Sequence, residues 1–179
     1  MSLLSTARAG ASAPLTVNVR RAVRVGWLPR AAELRGWAAA ALGRGAAGRE
    51  LSVLLAGRTR SRALNARYRG LDHATNVLSF PAAGGAGAPS GLLGELVLCP
   101  AVLRQEARAQ HKSARSHWAH LVVHGVLHLV GYDHEGPAAA ARMEQREIRA
   151  LRRLGIANPY GAPAGAPRRA SAQRRRARH

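Results

Sequence analysis

The stretch that most constrains this chain is HLVVHGVLHLVGYDHEG, residues 120–136, where histidines recur at 120, 124, 128 and 134 among Leu and Val. At about 100° per residue a helix brings His117, His120, His124 and His128 within about 80° of one another, on one face. A lone histidine on an apolar helix is ordinarily a packed, hydrogen-bonded residue. Two at i and i+4 project from adjacent turns and can converge on one metal ion. Both 120/124 and 124/128 have that spacing. His134 decides between them: on a continued helix it would point about 240° away from His128. Gly131, however, stands where a left-handed residue ends a helix, and the reversal swings Tyr132, Asp133 and His134 back over the last turn. The expected ligand set is therefore His124, His128 and His134, at the end of a long helix. Three imidazole nitrogens with room for a fourth ligand suit one zinc ion per chain in an open, reactive site. Nickel and copper also accept imidazole.

The same spacing occurs in metzincin proteases, His-Glu-x2-His-x2-Gly-x2-His, where the glutamate serves as general base. Here that position is Gly125. A glycine can take no proton, so the metal cup is present without the residue that peptide hydrolysis most needs.

A partner class follows from charge. The 179 residues hold 28 basic against 9 acidic side chains, a formal net charge of +19, and Lys112 is the one lysine. That excess fits a polyanion such as RNA or DNA, although an Arg-, Ala- and Gly-rich composition also follows from GC-rich coding. Part of it lies in PRRASAQRRRARH, residues 167–179. The single cysteine, Cys99, in the apolar run GELVLCP, excludes a disulfide framework and reads as a buried small side chain in a reducing compartment. No apolar run is long enough for a membrane span, and the first residues contain no signal-peptide core; a cytoplasmic protein is expected.

The chain reads as one α/β (α+β) domain. Strands are expected over 15–23, 50–57, 76–82 and 94–100, the last two joined by a Gly- and Pro-rich hairpin-like loop. Helices are expected over 29–43, 60–70, 101–111, 114–130 and 137–154. Residues 1–13 are read as a flexible N-terminus, 14–157 as the folded domain that carries the histidine cup and 158–179 as a disordered Arg-rich tail.

The segments HGVLHLVGYDH and LNARYRGLDHATNVLSFP closely resemble the signature blocks of the YbeY family of bacterial endoribonucleases, the rRNA maturation factors. The order of LNARYRG, LLGELVLCP and HWAHLVVHG agrees as well. The resemblance implies a central mixed four-stranded sheet packed by helices and a zinc held by His124, His128 and His134. It also implies single-strand-specific cleavage in rRNA processing, notably at the 3′ end of small-subunit rRNA, and a part in ribosome quality control. Ribosomal RNA, the small subunit and the Era GTPase are the partners it implies. A ribosome-assembly factor whose zinc is structural, and a metzincin-like hydrolase, are the alternatives.

Arg69, in YRG, resembles the family's functional arginine; a guanidinium there can clamp two phosphate oxygens. The sequence departs from the family at Leu71, where a lysine is usual, and at Glu95, where the strand often carries Asp. Asp133 is expected to cap the turn or orient an imidazole, and His117 and His120 to pack behind the cup. Tyr68, Tyr132 and Phe80 are aromatic groups that can stack on bases but are expected to be needed in the core.

Overall fold

The computed structural model describes residues 13–23, 26–84 and 91–161. Four strands, β1 (Thr16–Arg21), β2 (Glu50–Leu55), β3 (Val77–Pro81) and β4 (Leu92–Leu98), form one sheet in the order β1-β2-β4-β3. The first three in that order run parallel, and β3 is antiparallel to β4, so the sheet is mixed, as expected. Alternation along the strands divides the core. Leu51, Val53, Leu55, Leu96 and Leu98 face the larger cluster, whereas Leu54, Leu78 and Val97 face a smaller one shared with Leu64 and Phe80.

Five helices are α1 (Ala31–Leu42), α2 (Arg58–Arg69), α3 (Pro100–Ala109), α4 (Ala114–Leu129) and α5 (Pro137–Arg153). Helix α1 begins after Pro29 rather than on it, where the Arg30 N–H donates to Glu33 Oε2 at 3.0 Å. Helix α4 occupies the larger core, with Leu121, Val122, Val123, Val126, Leu127 and Leu129 buried, and its Ser113 N-cap accepts a hydrogen bond from the Ser116 N–H. Cys99 is buried at the entry to α3.

The arginine block is held by its polar residues. Buried Ser61 donates to the Thr75 carbonyl and accepts from the Thr75 N–H, and buried Asn65 donates to the His73 carbonyl. Arg62 forms a two-pronged pair with Asp72, both contacts at 2.6 Å. Together they strap residues 71–76 along α2 and fix the exit from Arg69.

Residues 1–12 and 162–179, most of the segments read as flexible or disordered, lie outside the described residues, as does most of the Gly-rich loop. Residues 158–161, which the sequence reading assigned to the tail, are described. Asn158 Oδ1 accepts the Tyr160 N–H at 2.9 Å, and Lys112 Nζ donates to the Pro159 carbonyl at 3.1 Å.

Candidate metal centre and endoribonuclease site

Helix α4 ends as the glycine requires. Gly131 has φ +88°, its N–H donates to the His128 carbonyl at 3.1 Å, and the Tyr132 N–H reaches back to the Leu127 carbonyl at 3.0 Å. This is the Schellman arrangement, and it reverses the chain over the last turn. The side chain of Asp133 caps the next bend by accepting the Glu135 N–H at 3.1 Å.

The reversal gathers His124, His128 and His134, whose ligand atoms all lie within 4.8 Å of one another. The Nε2 atoms of His124 and His128 are 3.2 Å apart. Two nitrogens about 2.0–2.1 Å from a tetrahedral ion stand about 3.3–3.4 Å apart, so this separation already fits a shared cation. His124 and His128 are half-buried and His134 is exposed, which opens the cup at the surface. Burial, and then the nearby charges of His124 and His134, push the His128 pKa down to about 4. A ring that is neutral at neutral pH is the form that ligates metal.

Behind the cup lies Glu147 of α5, only 1% exposed. His124 Nδ1–H donates to its Oε1 and His120 Nε2–H to its Oε2, both at 2.8 Å, and the Tyr160 hydroxyl also donates to Oε2. Burial alone would raise this carboxyl group's pKa. The hydrogen bonds from His120, His124 and Tyr160 prevail and hold it at about 2. Because an ionised carboxylate only accepts, Nδ1 of His124 is the nitrogen that carries a proton toward Glu147, and Nε2 is the one that faces the cup. A cavity of about 130 Å³ lies between His124, His134, Glu144 and Tyr160.

His120 is thus a support group behind the cup, and His117 a packed core residue, the two roles expected of them. His117 is buried, with Nε2 2.8 Å from Glu106 Oε2, and Asn76 Nδ2 donates to the same carboxylate. Sequence reasoning missed Glu147 and Tyr160. One signal was available for the first: on α5, Met143, Glu147, Ala150 and Leu151 form one buried stripe, and a carboxylate on such a stripe needs partners.

Arg69 is exposed at the end of α2, and its charge contributes, after the histidines, to lowering the His128 pKa. Nearby Tyr68 is not a core residue as anticipated. It is 57% exposed, edge-on to Phe80 at 5.0 Å, with the Arg67 guanidinium 5.4 Å from its ring centre. Gly125 faces the sheet rather than the cup. A Cβ there would come within 2.8 Å of Leu96 Cδ2 and 3.2 Å of Val77 Cγ2.

A family model described as endoribonuclease YbeY matches residues 31–155. The chain belongs to the YbeY family. It is 50% identical over 133 residues to the YbeY endoribonuclease of Methylococcus capsulatus, covering 74% of this chain and 87% of that protein. It is 46% identical over 150 residues to the YbeY endoribonuclease of Stenotrophomonas maltophilia, covering 82% and 93%. The solution structure of TM1509 from Thermotoga maritima superposes with a TM-score of 0.51 at 21% identity, over 84% of this chain and 99% of that one. That likeness concerns the fold. Within the matched YbeY region lie Arg69, the three cup histidines and Glu147, whereas Tyr160 falls just beyond it. Among the described residues, no helix is long and apolar enough to cross a membrane.

Proposed function

We propose that this YbeY-family chain is a zinc-dependent, single-strand-specific endoribonuclease acting in rRNA processing, notably at the 3′ end of small-subunit rRNA, and in ribosome quality control. The observation that carries the reading is the surface-open cup of His124, His128 and His134 in a chain similar to proteins named endoribonucleases. The three imidazoles would hold the zinc ion, which when bound supplies Lewis-acid polarisation of a phosphoryl oxygen and activation of water.

The chain's own groups do the rest. Glu147 holds His124 with Nε2 toward the cup, and burial keeps His128 neutral. Arg69 supplies a planar pair of donors for the phosphoryl oxygens, stabilising the charge that grows there as the P–O bond breaks. The basic surface concentrates the RNA without selecting sequence. The small ribosomal subunit and the Era GTPase are the partners that this function calls for, in the cytoplasm.

The deciding experiment combines metal analysis of the purified protein with cleavage of single-stranded and duplex RNA, with and without chelator. One zinc per chain and chelator-sensitive cleavage confined to the single strand are expected. RNA binding with a tightly held metal but no cleavage would overturn the catalytic reading in favour of an assembly factor.

A further inference from the structure

We infer that Glu147 and Tyr160 are positioning residues of the metal cup: Glu147 orients His124, and the C-terminal turn carrying Tyr160 holds Glu147 in place. The inference rests on the cup being a metal site.

A fully buried carboxylate is a poor way to stabilise a fold, because a well-packed apolar side chain of similar size does as well or better. Glu147 nonetheless sits on the apolar stripe of α5, and both its oxygens are used. Its Oε1 is committed to His124. A carboxylate on the far nitrogen of a ligating histidine fixes tautomer and ring direction and makes the metal-facing nitrogen more basic. His120, one turn earlier on α4, spends its Nε2 on Oε2 and is not among the three clustered imidazoles.

Tyr160 completes the arrangement from a remote part of the chain. After α5, Gly155 reverses the backbone at φ +70°, and the Asn158 side chain closes a turn on the Tyr160 N–H. The Lys112 ammonium ties that turn to the segment between α3 and α4 through the Pro159 carbonyl. The phenol then donates to Glu147 Oε2, with its ring edge-on to His120 at 5.5 Å. With three donors on two oxygens, the carboxylate has little freedom to turn from His124. Removing the phenol leaves Oε2 held by His120 alone.

The test uses the full chain and its Glu147→Gln and Tyr160→Phe variants. The zinc dissociation constant is measured by competition with a chromophoric chelator at fixed pH. Metal-free melting temperature and the imidazole 15N shifts of His124 are recorded alongside. Glu147→Gln should raise the dissociation constant about 10- to 100-fold. Tyr160→Phe, which loses one hydrogen bond to a charged group, should raise it about three- to tenfold while shifting the metal-free melting point by no more than about 4 °C. His124 in the unaltered metal-free protein should carry its proton on Nδ1. Zinc affinities within twofold of the unaltered protein in both variants, or a His124 proton on Nε2, would overturn the inference. Should Glu147→Gln fail to fold, Tyr160→Phe and the tautomer still decide. If the unaltered protein binds no zinc, the metal reading fails, and the 15N shifts decide the orientation of His124 independently.

Discussion

Ser79 of β3 donates its hydroxyl hydrogen to the Gly125 carbonyl of α4 at 3.1 Å. The contact exists because residue 125 has no side chain: a Cβ would lie 3.2 Å from that same Ser79 oxygen. Gly125→Ala should therefore cost about 1–3 kcal/mol by overpacking. Gly125→Glu should cost more, since its carboxylate would be buried among Leu96 and Val77 without a partner. Denaturant unfolding measures both. Neither variant should hydrolyse casein. Chelator-sensitive casein hydrolysis by the unaltered protein would restore the protease reading.

Alanine replacement of His124, His128 or His134 should each abolish stoichiometric zinc retention through gel filtration. His120→Ala should still bind one zinc per chain at saturating metal, because its ring serves Glu147 rather than the cup. Equal loss at residue 120 would show that the other i, i+4 pair binds the ion.

Arg69→Ala should lower the cleavage rate at saturating RNA by about 10²-fold or more with little change in affinity, as for a group that acts on transition-state charge. Arg69→Lys separates field from geometry, since it keeps the charge and loses the fork. Full recovery in the lysine variant would assign Arg69 a field effect only, and a change confined to affinity would remove it from the chemistry.

The packing of Tyr160 shows where the tail can be cut. Deleting residues 162–179 removes the arginines between 168 and 178 but leaves the Glu147 contact intact. RNA affinity should fall and the log–log salt dependence flatten by up to about four units, with the saturated rate nearly unchanged. Deleting 158–179 should in addition weaken zinc binding. Identical zinc affinities for the two truncations would count against a role for the turn.

Glu106 provides a pH signature away from the metal. Burial works to raise its pKa, but hydrogen bonds from His117 and Asn76 bring it below the ordinary 4.5. A lowered folded-state pKa means stability that is present above pH 4.5 and is lost as pH falls toward the folded value. The unaltered protein should therefore lose melting temperature more steeply below pH 4.5 than Glu106→Gln does. Parallel profiles would show that the pair contributes nothing.

Much of this was legible in the sequence because the signals were local. Strand alternation, Gly70 and Gly131 as helix stops, and the i, i+4 histidines each depend on neighbours within about a turn. What escaped is not local. The order β1-β2-β4-β3 depends on which strands meet after two crossovers, and no residue spacing encodes it. Glu147 lies 23 residues beyond His124 and Tyr160 a further 13, in a segment whose Pro, Ala and Gly content reads as unstructured. The exposure of Tyr68 was missed because scarcity of aromatics argued for burial. In fact Leu, Val and Ala fill most of the core, with Trp37 and Trp118 the large rings among them.

The Gly131 turn makes the cup unequally robust to sequence drift. His124 and His128 are spaced by helical pitch, which a wide range of helix-forming neighbours would preserve. His134 depends on a single backbone torsion, and nothing stands within 4 Å of where a Cβ on Gly131 would be. No crowding thus guards that position; only the cost of a left-handed conformation, about 1–2 kcal/mol for an L-residue, selects glycine. A chain that lost it could fold nearly as well yet grip a metal at two points instead of three, exchanging it quickly. Inheritance of the fold and inheritance of the cup's third arm are therefore separable, and the second needs the glycine at 131 as well as the histidine it delivers.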